Sequence, residues 1–302
     1  MPQSQRDVRN RISAVRNIEK ITRAMAMVAA ARLRRAEQRI AALRPYASAI
    51  RRMTRQAAEA AGAVPRVPIL QEHPEVGTVG VLLVAGDRGL AGAFNSNIIR
   101  AGVAAGRAHE AAGRRVVYFA SGRRVKSSLT FRGLEPVDSF TGFTDRPTYP
   151  DARRIAERLI AAYLADEVDQ VEVFYNGYQS AISQVVRRET LLPLQRATVH
   201  EEEPPAQEAS GATPQYRVVP EYEPDAVAVL KRLVPEYIDV SIYRALLEST
   251  ASEHGARMTA MRHASDNAGE LIHDLTLQMN RARQAEITQE IMEVVAGAEG
   301  LR

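Results

Sequence analysis

Small and apolar residues recur at alternating spacings of four and three through the C-terminal segment: Leu247, Ala251, His254, Met258, Met261, Ser265, Ala268, Ile272, Leu275, Met279 and Ala282. Only His254 and Ser265 are polar in that series, and His254 reads as a register-setting residue rather than a catalyst. A 4/3 alternation kept over several heptads predicts a coiled-coil seam on one long helix, 236–302. No proline follows Pro235. The interior glycines Gly255 and Gly269 each cost only about 1 kcal/mol relative to alanine. At about 1.5 Å of rise per residue such a helix runs on the order of 90 Å, the length of a strut.

A second helical pattern opens the chain, across 1–61. Val8, Ile12, Val15, Ile18, Ile21, Met25 and Val28 make an apolar stripe, which shifts phase near Arg32 and resumes at Ala36, Ile40, Leu43, Ala47 and Ile50. Pro45 removes one backbone hydrogen bond and predicts a bend there. Between the two segments, across 65–235, the period changes. Apolar β-branched runs at 77–85, 115–120, 170–175 and 184–194 read as strands, alternating with helices at 95–112, 124–131 and 152–165, the last capped by Asp151. That alternation predicts parallel βαβ units and leaves an antiparallel pairing open for the last two strands. Residues 199–215, acidic and rich in proline, alanine and serine, read as an exposed mobile loop. The fold class is therefore α/β: a long antiparallel two-helix coiled coil from the two ends, plus a Rossmann-like α/β domain.

Charge strengthens the pairing. Residues 1–60 carry 14 Lys/Arg against Asp7, Glu19, Glu37 and Glu59, whereas 236–302 carry 6 Arg against 11 Asp/Glu. Opposite charge favours register and partner choice more than it adds energy, because exposed pairs contribute little. The whole chain of 302 residues is 45% hydrophobic with a net charge of +4, enough for a domain with a core. It has no cysteine, which excludes disulfides, thiolate metal sites and thiol catalysis. No apolar run is long enough for a membrane span, and no signal-peptide core is present, so the chain reads as soluble or peripheral.

Candidate chemistry is sparse. The strand, the loop Gly86-Asp87-Arg88-Gly89-Leu90-Ala91-Gly92 and the following helix invite a phosphate-site reading, because glycines at a helix N-terminus can cradle an anion. The spacing is G-x-x-G-x-x-G rather than G-x-G-x-x-G, and no Gly-Lys-Ser/Thr is present, so a tight structural turn is the stronger reading. His73, His109, His200, His254, His263 and His273 show no metal-ligand spacing. No nucleophile–base pair is discernible, and neither a cofactor nor a metal is expected. The arginine-rich first helix could meet nucleic acid phosphates, but only Tyr46 supplies an aromatic ring in it.

Three ordered segments carry a family resemblance. The run Arg11-Ile12-Ser13-Ala14-Val15-Arg16-Asn17-Ile18-Glu19-Lys20-Ile21-Thr22-Arg23-Ala24-Met25 is similar to the N-terminal signature of gamma subunits of F-type ATP synthases. Asp87-Arg88-Gly89-Leu90-Ala91-Gly92 resembles that family's strand-end loop. Ala251-Ser252-Glu253-His254-Gly255-Ala256-Arg257-Met258, Asp266-Asn267 and Asn280-Arg281-Ala282-Arg283-Gln284-Ala285-Glu286-Ile287-Thr288-Gln289-Glu290 resemble its C-terminal block.

The resemblance implies a non-catalytic rotor: the helix pair stands inside a ring of alpha and beta subunits, and the α/β domain meets the epsilon subunit and the membrane-embedded c ring. One copy would couple c-ring rotation to ATP synthesis, on the cytoplasmic side of a bacterial membrane, with no span of its own and no nucleic acid. It also implies that Lys20, Arg23, Met25, Arg257, Gln284, Thr288 and Glu290 contact the beta subunits or hold the shaft near them. Ile287, Ile291, Met292, Val294 and Val295 are apolar on more than one face and require cover from another chain; Ile291 and Val295 join the expected contacts. Gly255 and His263 lie where the family often has alanine or similar small residues, which leaves the local stiffness of the helix open, and the lack of cysteine excludes its thiol-regulated plastid type. A nucleotide-binding Rossmann-like enzyme and a basic coiled-coil nucleic-acid binder are the competing readings.

Overall fold

The computed structural model describes residues 5–60, 68–71, 73, 75–181, 183–194 and 225–299; the expected loop at 199–215 lies outside them. The chain packs as two units, Met1–Ala31 with Arg257–Arg302, and Arg32–Ala256. Both long helices pass through the boundary: α1 is Gln5–Ala60 and the C-terminal helix, α5, is Ala226–Glu299.

The Arg32–Ala256 unit is an α/β module. Its strands β1 (Thr78–Val84), β2 (Arg115–Ser121), β3 (Asp138–Phe140), β4 (Gln170–Tyr178) and β5 (Gln184–Leu192) form one sheet in the order β3-β2-β1-β4-β5. The β1–β2, β1–β4 and β2–β3 pairs are parallel, with Val81 opposite Tyr118 and Leu82 opposite Val173. Only β4–β5 is antiparallel. Strand side chains alternate between faces. Val79, Val81 and Leu83 therefore pack with α2 (Phe94–Ala111) and α3 (Arg123–Phe131). Leu82 and Val84 join the other cluster, with α4 (Tyr149–Leu164), Ile50 and Ala57 of α1, and Leu230, Val234, Ile238 and Ile242 of α5. A sheet covered on both faces explains why its central strands read as unbroken apolar runs.

Three local expectations need correction. The C-terminal helix starts at Ala226, not near Pro235: the Asp225 carboxylate caps it by accepting from the Ala228 amide at 2.7 Å, and the added turns bury Leu230 and Val234. Helix α4 begins at Tyr149, its N-cap being Thr148 rather than Asp151. The Asp151 carboxylate instead reaches back to the Thr148 amide (2.9 Å) and hydroxyl (2.6 Å). Strand β3 was not expected at all; three residues without an apolar run leave no periodic signal.

The other unit holds the helix pair. Val8, Ile12 and Val15 form a cluster with Ala268 and Leu275, while Glu19, Arg23 and Ala30 share a cleft with Met258, Asp266 and Glu270. Rising numbers on α1 meet falling numbers on α5, so the helices are antiparallel. The expected α5 seam from Met258 to Ala282 is buried or half-buried at every position. On α1 the seam differs from the expected stripe. It continues from Val15 through Thr22 and Ala29, and Ile18, Ile21 and Val28 stand 53%, 59% and 54% exposed. Small residues at heptad spacing let the backbones approach. The Thr22 hydroxyl is satisfied within its own helix, by the carbonyls of Ile18 and Glu19, both at 3.0 Å.

Candidate partner-contact surface

The helix pair presents apolar side chains that the described residues do not cover. Every described side chain from Arg283 to Ala296 is exposed, including Ile287, Ile291, Met292, Val294 and Val295. A helix apolar on more than one face gains nothing from water on all sides and is built to be enclosed. On α1, Ile18, Ile21 and Val28 make a second exposed stripe, displaced round the helix from the buried seam. The stripe expected from the sequence merges this face with the seam. The signal was present in the heptad line Val8, Val15, Thr22, Ala29, which passes beside those three residues.

The expected contact residues divide into three groups. Lys20 and Arg23 are exposed and Met25 is half-buried. Arg23 also borders a 720 Å3 cleft between the helices, with Met27, Met258, Arg262 and Asp266. Gln284, Thr288, Glu290, Ile291 and Val295 are exposed together. Gln284 and Thr288 share a face, and the Thr288 hydroxyl donates to the Gln284 backbone carbonyl at 2.8 Å. Arg257 is different. At 8% exposure it is buried within the chain.

The glycine-rich loop of the α/β module serves structure. Its Gly86 amide donates to the Asn95 side chain at 2.9 Å, and its Asp87 amide to the Thr144 hydroxyl at 2.9 Å. Asp87 accepts from the amides of Arg123 (2.9 Å), Gly142 (2.9 Å) and Thr144 (3.3 Å) and from the Thr144 hydroxyl (3.0 Å). Amides and a carboxylate that could have framed an anion are engaged in tying the loop after β1 to those after β2 and β3. Beside this knot, Asp145 pairs with Arg32 at 2.5 Å and Arg88 at 3.4 Å. Burial raises that carboxyl, but the Arg32 hydrogen bond and the neighbouring positive charges outweigh it and hold the carboxyl below the ordinary aspartate value.

An α/β module in one unit and, in the other, an antiparallel helix pair with much exposed apolar surface define a class of subunit that works through contacts. The comparisons with known proteins agree. The sequence model of the family described as ATP synthase matches residues 4–301. The ATP synthase gamma chain of Rubrobacter xylanophilus is 41% identical over 298 residues, covering 99% of this chain and 98% of that protein. That of Moorella thermoacetica is 43% identical, covering 98% and 99%. The chain belongs to the ATP synthase gamma chain family. Among solved structures, it is similar to the central stalk of the Tetrahymena thermophila mitochondrial ATP synthase, with TM-score 0.58, 26% identity and coverage of 81% and 99%. A Euglena gracilis mitochondrial ATP synthase chain, at TM-score 0.66, 17% identity and coverage of 98% and 94%, shares the fold.

Proposed function

We propose that the chain is the central-stalk rotor of a proton-translocating F-type ATP synthase, present once per complex. A gamma chain is a non-catalytic subunit, so its effect on the chemistry passes through its contacts. Rotation of the membrane c ring turns the α/β module, where the epsilon subunit also docks, and the helix pair presents a changing face to the alpha and beta subunits. A rotor can bias a catalytic site only if it contacts the conformers of that site unequally. Asymmetry supplies this: α1 offers Lys20, Arg23 and the half-buried Met25, whereas the end of α5 offers Gln284, Thr288, Glu290, Ile291 and Val295. Buried Arg257 keeps α5 in place.

The observation that carries this reading is the exposed apolar end of α5, with Ile291 at 57% and Val294 at 72% exposure, which calls for a sleeve from other chains. No described helix is long and apolar enough to cross a membrane. As the rotor of a membrane-associated complex, the chain works at the cytoplasmic side of a bacterial membrane, held there by its partners. Affinity purification through a tag on this chain should recover alpha and beta subunits and a membrane sector, with one copy of the chain per complex. Recovery of a stable homo-oligomer without those partners would contradict the proposal.

A further inference from the structure

A rotor must pass torque between its module and its long helices, and the two helices join the module in different ways. We propose that residues 249–255 of α5 are the torque clamp, with Asp87 as its anchor inside the module; the inference rests on the rotor reading. The buried Thr250 hydroxyl lies 2.9 Å from the Thr144 carbonyl and 2.8 Å from that of Leu246 in its own helix. The buried Ser252 hydroxyl donates to the Asn176 carbonyl at 3.1 Å. Backbone closeness adds to this. A Cβ at Gly86 would stand 2.8 Å from the Glu253 carboxylate, and one at Gly255 would stand 2.9 Å from the Ala181 carbonyl. The glycine at 255 thus marks a close approach rather than a flexible point in the helix.

Each acceptor is itself held. Thr144 is bound to Asp87 through its amide and its hydroxyl, and Asp87 also fastens the amides of Arg123 and Gly142. Asn176 donates from its side chain to the Phe94 carbonyl at 3.3 Å, at the start of α2. Twisting α5 therefore loads the ends of β1 and β4 and the loops after β2 and β3 at once. By contrast, α1, whose Ile50 and Ala57 pack in the module core, meets this end of the sheet through long side chains: Arg32 pairs with Asp145 after β3, and Glu37 accepts from the Tyr178 hydroxyl at the end of β4. Arg32 is 43% exposed, and such a pair yields by side-chain rotation at little cost. Short buried hydroxyls bonded to backbone carbonyls have no comparable slack, and losing one leaves a buried acceptor unsatisfied.

The test compares two assembled complexes, one carrying Thr250→Val with Ser252→Ala and the other Arg32→Gln with Tyr178→Phe. Three quantities are read: ATP hydrolysis, ATP-driven proton pumping in vesicles, and the torsional stiffness of single rotating complexes probed at the module. With two buried hydrogen bonds gone, the α5 variant should lose stiffness by roughly a factor of two and pump fewer protons per ATP, while the α1 variant stays near wild type. Thr250→Ser, which keeps the hydroxyl, should restore both readings. If the α5 double variant does not assemble, Thr250→Val against Thr250→Ser gives the same comparison. Unchanged stiffness in the α5 variants, or an equal loss in the α1 variant, overturns the clamp. A wild-type complex whose module does not rotate overturns the rotor reading, and the clamp with it.

Discussion

In the α/β module the central strands are covered on both faces, Val79, Val81 and Leu83 on one side and Leu82 and Val84 on the other. In the helix pair, Ile18, Ile21, Val28 and Ile291 are all more than half exposed, and the internal seam is a narrow line of Val8, Ile12, Val15, Ala268 and Leu275. The module thus buries the apolar residues of its central strands against its own chain, leaving a few such as Leu90, Phe131 and Val137 exposed, whereas the pair leaves most of its large apolar residues outside its seam uncovered among the described residues. Apolar area removed from water stabilises by about 25 cal/mol per Å2, so the difference decides where each part gets its stability. The module should fold on its own contacts. The pair should gain much of its order from assembly.

The largest effect is expected where the module is tightest. Gly122 sits at φ +104°, and a Cβ there would lie 2.2 Å from the Ala85 carbonyl oxygen. Gly122→Ala should destabilise the module by roughly 3 kcal/mol or more, through strain and overpacking together. Thermal unfolding followed by circular dichroism would show it. A near-wild-type melting temperature would break the claim that the module is stabilised by its own close packing.

A smaller effect sharpens the same comparison. Asp239 of α5 is buried in the module beside Tyr149, whose hydroxyl donates to it at 3.3 Å. Burial pushes its carboxyl from the ordinary 3.8 up to about 6, with Glu157 and Glu236 adding to the rise and the Tyr149 hydrogen bond and Arg153 opposing it. Between those values the folded chain binds more protons than the unfolded one. Stability therefore falls as pH rises through that window, and is highest in this respect below pH 3.8. Asp239→Asn should remove that loss and raise stability at pH 7 by about 1–2 kcal/mol, discounted because the site is partly solvated. Unfolding measured from pH 4 to 7 should show a flatter profile in the variant; an identical slope in both proteins would contradict the assignment.

The contrast between the two parts also explains what could be read from the sequence. Strands β1, β2 and β4 were legible because burial on both faces writes continuous apolar runs. The α5 seam was legible because its large and small residues keep one phase from Met258 to Ala282. The α1 seam was not, since Thr22 and Ala29 are the buried residues and the conspicuous Ile18, Ile21 and Val28 face away from it. Period analysis weighs size, whereas close helix approach selects smallness. The start of α5 was hidden by Pro235, which the helix accommodates. The contacts of Asp87 with Arg123, Gly142 and Thr144 join segments far apart in sequence, as do those of buried Glu172 with Arg188 at 2.7 Å and His109 at 3.3 Å. No spacing rule reaches that far. The exposed end of α5 was legible, because several apolar faces on one helix need no partner identity to be noticed.

On this reading the helix pair works by contact with other chains while the module stands on its own. Truncation after Gln284 tests it directly, because it removes Ile287, Ile291, Met292, Val294 and Val295 and leaves every described residue of the module in place. ATP synthesis by membrane vesicles carrying the truncated chain should be severely reduced, and thermal unfolding of its α/β module should match that of the full-length chain. Undiminished synthesis after the truncation would contradict the account.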